Sequence, residues 1–368
     1  MIGSAHIAQY LVANGIVDTN SIVGGQLSIT VAQGRNYNFI VDSDKRSLLF
    51  KQALWLEENQ KATGREIRFY ERALPGLPSA LAARIPALVF ADEAGGTLAV
   101  EFVANASPMF QIFHDEPLDV GAVDAARQLG EFLGDLHGAS PCVPASDAGL
   151  PDDAPWAFRA HEPTLREFGV LSHGAYNCLK LLQQNQALCQ YLDRASAAWK
   201  ADVLIHADIK SDNLLYANAA GDGDTPAGKL HVVDWESVQL GDAAWDIAGF
   251  LQDIILYWLF SIPLLPGASV AAAALQARCP ILALVPALGM FVRAYGSRSQ
   301  RESLRTLLPR AASMTAVRLT QFALEFAHQH NSLLPQSLMA LRVAEGMTRS
   351  PDWVSMLLRG EQPAFGRP

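Results

Sequence analysis

Apolar and polar positions along this chain change their spacing once, near residue 105. Before it they form short strand-like runs at Leu27 to Ala32, Tyr37 to Val41 and Ser47 to Gln52. The first two runs meet at Gln33-Gly34-Arg35-Asn36, which reads as a hairpin turn, and a short helix over residues 4–14 precedes them. Ile67, Tyr70 and Leu74 then recur at helical spacing and predict a helix over Gly64 to Ala73, punctuated by Pro75 and Pro78. Two further strands, Ala87 to Ala91 and Thr97 to Val103, run up to Ala104-Asn105-Ala106, where the chain can cross into a second domain. Beyond that point the spacing is mainly helical. Val123 to His137, Tyr176 to Ala198, Ser313 to His330 and Leu334 to Glu345 are the clearest helices. The pattern predicts an α+β chain with an antiparallel sheet and a helix in residues 1–104 and a larger, mainly helical domain in residues 105–368, without internal repeats.

One apolar run needs separate reading. Gly249 to Pro263 is hydrophobic enough to resemble a membrane helix, but Asp253 interrupts it and Pro263 and Pro266 end it short of the about 20 residues a span requires. It is expected to be a buried helix of the larger domain; packing of Tyr257 to Phe260 on another protein is the alternative. Composition agrees with a globular enzyme: 368 residues, half of them hydrophobic and 18% charged, suffice for two cores. A net charge of −9 argues against nucleic acid as partner, because phosphate backbones recruit basic faces. Cys142, Cys178, Cys189 and Cys279 show no metal-binding spacing and read as thiols in a reducing cytosol. Met1 to His6 lacks the features of a signal peptide, so the expected location is cytoplasmic.

The chemistry is concentrated between Leu204 and Asp253. His206-Ala-Asp208 is followed five residues after the Asp by Asn213, and an apolar run from Leu230 ends in Asp234. Phosphoryl transfer needs this set: a carboxylate to orient the attacking hydroxyl, and an amide with a second carboxylate to hold the cation that bridges the nucleotide phosphates. Asp208 is the expected base, and Asn213 and Asp234 the expected ligands of Mg²⁺, which prefers such hard oxygen donors. Lys210 would neutralise charge on the transferring group. His206 and Asp246 read as structural support for the loop, Asp246 by capping loop amides, and Glu236 as support for the metal site. In the first domain, Lys51 ends a strand and would reach the nucleotide phosphates if held by a carboxylate, Glu66 first and Glu71 second. Only Gly34 occurs in the hairpin turn and no GxxxxGK[ST] is present, so no Walker-type loop exists; backbone around Gly34 and Asn36 would cover the phosphates instead. Backbone at Glu101 to Val103 is expected to meet the base of the nucleotide. Asp222-Gly-Asp224 lacks the other ligands of a calcium loop and reads as a turn.

His206 to Asn213, Val233-Asp234-Trp-Glu236, Gly241 to Asp246 and the helix end Leu133-Gly-Asp-Leu-His137 together resemble the aminoglycoside phosphotransferase and choline kinase-like family. That resemblance, over roughly residues 20 to 330, implies the bilobal protein-kinase-like fold, ATP (GTP in some members) with Mg²⁺, and transfer of the γ-phosphoryl group to a hydroxyl. It implies the roles given above for Lys51, Glu66, Asp208, Asn213 and Asp234. Lys210 resembles the lysine of the protein-kinase catalytic loop, where aminoglycoside enzymes commonly have other residues. Arg35 to Phe39, Phe50 to Gln52 and Asp242 to Ile247 are similar to kinase-like proteins of lanthipeptide and thioamitide clusters, which implies Ser or Thr of a precursor peptide as acceptor and a companion lyase. A small-molecule kinase and a catalytically silent scaffold are the other readings. A long apolar groove beside Asp208 would favour peptide, and an acidic pocket of Asp147 to Asp153 or Glu162 a cationic small molecule.

Overall fold

The computed structural model describes residues 6–32, 36–54, 56–113, 118, 120–139, 149–217, 228–264, 270–299, 301–361 and 363. They form two compact units, each assembled from separate stretches of chain. The first unit holds residues 1–107, 141–150 and 213–238; the second holds 108–140, 151–212 and 239–368. The division near residue 104 expected from sequence did not contain this exchange of segments.

The first unit is built on an antiparallel sheet of five strands: β1 (Ser28–Ala32), β2 (Tyr37–Asp42), β3 (Ser47–Gln52), β4 (Leu88–Asp92) and β5 (Thr97–Glu101), in the order β1-β2-β3-β5-β4. Alternate residues Phe39, Val41, Leu48 and Phe50 point to one face, where helix α1 (Ile7–Ala13) buries Ile7 and Leu11 against them. Helix α2 (Glu57–Arg68) continues into one π-type turn, Phe69–Ala73. It starts two turns earlier than hydropathy predicted. Its buried side includes Asn59, Thr63 and Glu66, and a polar buried stripe gives no hydrophobic period to read. A hairpin of β6 (Leu214–Ala217) and β7 (Lys229–Val232) completes the unit, with Leu214 opposite Val232.

The second unit is helical. Its longer helices are α3 (Val120–Ala139), α4 (His173–Gln184), α5 (Gln186–Ala197), α6 (Ala243–Ser261), α7 (Val285–Arg298), α8 (Leu304–Gln329) and α9 (Pro335–Arg349). The single helix predicted over 176–198 is two, because Asn185 leaves helical geometry and its side chain caps α5 at the amide of Leu188. Helix α6 contains the apolar run. Among the described residues it is the one helix long and apolar enough to cross a membrane, yet 78% of its apolar window is buried inside the protein.

Candidate active site

In the first unit, β3 carries Lys51 into a buried position where its ammonium meets two carboxylates. Nζ lies 2.9 and 3.0 Å from the two oxygens of Glu66 and 2.6 Å from Oδ1 of Asp234. Glu71 is exposed, which leaves Glu66 as the helix partner. Burial works against the Lys51 charge, but Glu66 and Asp234 outweigh it and raise its pKa. Burial pushes the Glu66 carboxyl up to about 7; Lys51 pulls it down, while Asp234 and Glu236 add to the rise. One ammonium therefore serves two carboxylates, and the cluster carries excess negative charge.

Asp234 is held in the left-handed region, φ 66° and ψ 65°, a costly conformation for a residue with a Cβ. The next residue explains how. Trp235 is fully buried, stacks on Phe69 at 4.1 Å and donates its ring N–H to the Val232 carbonyl. Asn213 precedes β6, and its carbonyl accepts the Val233 amide at 3.0 Å, so Asn213 and Asp234 stand at the same end of the hairpin. Asn36 donates to Glu236 at 3.5 Å and accepts from Asn59 at 2.8 Å. Gly34 lies outside the described residues, as do Asp222 and Asp224. The Glu101 and Phe102 amides donate within the unit, to the Ala87 and Ser47 carbonyls, both at 2.9 Å.

In the second unit the chain around Asp208 is held from both sides of its backbone. Asp246, at the first turn of α6 and fully buried, accepts the His206 amide at 2.8 Å and the Ala207 amide at 2.9 Å. Burial would raise its pKa, but the hydrogen bond and charge of His137 and the contacts to His206 lower it below the ordinary value. Ala207 adopts φ 66°, the second strained non-glycine position in the motif. His206 is completely buried and its Nδ1 accepts the Asp208 amide at 3.2 Å. Lys210 Nζ lies 2.6 Å from Asp208 Oδ2.

Asp208 and Lys210 open onto a cavity of about 860 Å³ within this unit. Its lining is mixed: Phe110, Phe113, Tyr257, Phe260 and Phe322 stand among polar and charged side chains. Phe113 stacks on Tyr257 at 5.1 Å, and Phe260 meets Phe322 edge-on at 5.9 Å. Besides Asp208, the carboxylates Asp212, Asp253 and Glu325 also line the cavity, and Asp253 accepts from the Ser211 hydroxyl at 2.6 Å. Burial pushes its pKa up to about 6, against the pull of Ser211 and Arg318. Of the lining residues, Asp208 and Lys210 were expected at the site and Tyr257 to Phe260 read as a candidate packing surface. Asp253 was visible as a lone charge in an apolar run, but Phe113 and Phe322 gave no signal. Asp152, Asp153 and Glu162 do not line the cavity, and Asp147 lies outside the described residues.

Comparison with known proteins decides the family. The model of the phosphotransferase enzyme family (APH) matches residues 32–288, well over half the chain. The chain belongs to that family. This phosphotransferase is also similar in fold to an ethanolamine kinase of Plasmodium vivax (13% identity, 94% of this chain and 89% of that one, TM-score 0.57). A microcompartment-associated aminopropanol kinase (16%, 96% and 99%, 0.55) and a choline kinase of Streptococcus pneumoniae (12%, 93% and 99%, 0.52) are similar too. A search of the curated proteins finds no match. The mixed α+β, kinase-like fold read from sequence is the fold of this phosphotransferase.

Proposed function

We propose that this phosphotransferase moves the γ-phosphoryl group of ATP to a hydroxyl of an acceptor seated in the cavity beside Asp208. The observation that carries the reading is the buried Lys51 ammonium shared by Glu66 and Asp234. An ion cluster of this kind costs several kcal/mol of desolvation, and a fold that needed only stability would do as well with apolar side chains. Lys51 would bind nucleotide phosphate, with Glu66 keeping it in place. Asn213 and Asp234 would hold Mg²⁺, which when bound neutralises charge on the phosphates. The donor set fits that ion. It consists of one amide and one carboxylate oxygen donor at one hairpin end, hard donors of the kind Mg²⁺ prefers. Asp208 would accept the hydroxyl proton as the new oxygen–phosphorus bond forms and the bond to the β-phosphate breaks, releasing ADP.

For the acceptor, the aromatic rings in the lining favour an apolar body next to the reacting hydroxyl. A Ser or Thr in an apolar stretch of a precursor peptide meets that requirement and uses the volume available; its phosphate would then be eliminated by a companion lyase. A small amino alcohol is the second reading. Asp212, Asp253 and Glu325 favour it by offering carboxylates to a cationic nitrogen. The test is ATP consumption with Mg²⁺ against Ser/Thr peptides with apolar neighbours, choline, ethanolamine and aminoglycosides, with products weighed by mass spectrometry. We expect transfer to the peptides and its loss in Asp208→Asn. Transfer confined to amino alcohols would favour the second reading, and nucleotide turnover unaffected by Asp208→Asn would refute both.

A further inference from the structure

We infer that Arg318, in the middle of α8, is a positioning residue for catalysis that sets the carbonyl side of the Asp208 loop. The inference rests on the reading of Asp208 as the group that orients the attacking hydroxyl. Arg318 is 5% exposed, although arginine is rarely buried to that extent. Its guanidinium has defined partners on three edges. Nη2 donates to the Ile209 carbonyl at 2.9 Å, Nη1 to the Ala207 carbonyl at 3.4 Å, and Nε to Oε1 of Gln252 at 2.8 Å. Its plane also lies over the Trp245 ring at 5.0 Å, and the Trp245 ring N–H donates to the same Ala207 carbonyl at 2.9 Å.

These contacts bracket Asp208. The carbonyls on either side of it, Ala207 and Ile209, are both taken by one planar fork, while the amides of His206 and Ala207 are taken by Asp246. A peptide at φ 66° relaxes toward the commoner regions unless both its ends are tied; Asp246 ties the Ala207 amide, and Trp245 and Arg318 share its carbonyl. What Arg318 adds is the link between the Ala207 and Ile209 carbonyls across Asp208, a geometric specification that lysine cannot meet. An ammonium is a single point with no rigid spacing between donors, so it reaches one carbonyl or the other. Loss of the fork would leave Asp208 present but displaced relative to the acceptor, and misplacement of about 1 Å costs roughly a hundredfold in rate.

The experiment measures ADP release from ATP with Mg²⁺, with water as the acceptor. Arg318→Lys is expected to lower kcat by about a hundredfold, with the KM for ATP within about twofold of wild type. Methylguanidinium added to Arg318→Ala is expected to restore part of the lost kcat, and methylammonium at the same concentration is not. Gln252→Leu removes only the acceptor of Nε and gives a smaller fall in kcat without loss of the folded state. It decides the question if the Arg318 variants do not fold. Unchanged kcat in the folded variants, with Asp208→Asn inactive, would overturn the inference and leave the proposed function standing. Full activity of Asp208→Asn would remove the reading underneath it.

Discussion

At the scale of single residues, the consequence of the buried cluster is that its members are not interchangeable. Lys51→Met leaves Glu66 and Asp234 facing each other without a counter-ion. Removing one partner of a buried pair typically costs about 3–5 kcal/mol, because the remaining charge stays desolvated. We expect Lys51→Met to lose ATP turnover and to unfold at lower denaturant by an amount in that range. Glu66→Gln removes the excess negative charge and keeps an oxygen acceptor, so it should destabilise less while still impairing nucleotide use. Urea titration of both variants beside wild type checks the ordering; equal or reversed losses would show that the excess charge has been misjudged. Asp246→Asn is a third case. Its amide has one oxygen for the two backbone N–H groups now shared between two carboxylate oxygens. One buried donor would then face an NH₂ group, at a cost of about 1–3 kcal/mol, visible as a lowered unfolding midpoint.

At the scale of elements, the decisive one is α6, because it supports the Asp208 loop, lines the cavity and fills the core of its unit. Its approach to the loop depends on Gly249. A Cβ there would run into the carbonyl oxygen of Ile209, the same carbonyl that Arg318 holds. Gly249→Ala should therefore push α6 and the loop apart, costing about 1–3 kcal/mol of stability despite the better helix propensity of alanine. It should also lower kcat more than the KM for ATP. A gain in stability would mean that the close packing is not required. The same helix shows what sequence could convey. Its apolar length and its lone Asp253 were legible, and so was burial, because fifteen consecutive mostly apolar residues have few alternatives. The strands were legible within a residue or two for the same reason: β2 and β3 carry the apolar runs Phe39-Ile40-Val41 and Leu48-Leu49-Phe50. What stayed hidden was polar and inward-facing. Asn59, Thr63 and Glu66 bury one side of α2, and Arg318 is an ordinary arginine in an amphipathic pattern until its carbonyl partners, some hundred residues away in sequence, come into view.

At the scale of the whole molecule, the unit boundary falls between Asp212 and Asn213, inside the motif that first drew attention to phosphoryl transfer. A linear reading places His206 to Asp234 in one domain, whereas the fold gives Asp208 to one unit and Asn213, Asp234 and Glu236 to the other. The pH dependence of stability then belongs to identifiable groups of the helical unit. Asp253, facing Ser211, Tyr257, Asp212 and Arg318, has a folded pKa raised to about 6, above the about 3.9 of an unfolded chain. A raised carboxyl contributes stability that is complete below the unfolded value and is lost as pH rises through the folded one. Asp246 has the opposite sign. Its pKa is lowered, so its contribution is present above about pH 4 and is lost as acid protonates it in the folded state. The Asp253 effect is isolated by comparison with Asp253→Asn, which cannot ionise and can still accept from Ser211. The unfolding free energy of wild type minus that of the variant should fall between pH 4 and 7, with its steepest change at about pH 5, midway between the two pKa values, by on the order of 2 kcal/mol. Denaturant titrations at three or four pH values measure it. A difference that stays level, or rises with pH, would mean that Asp253 is ionised throughout and that its cavity is far better solvated than the surrounding aromatic rings allow.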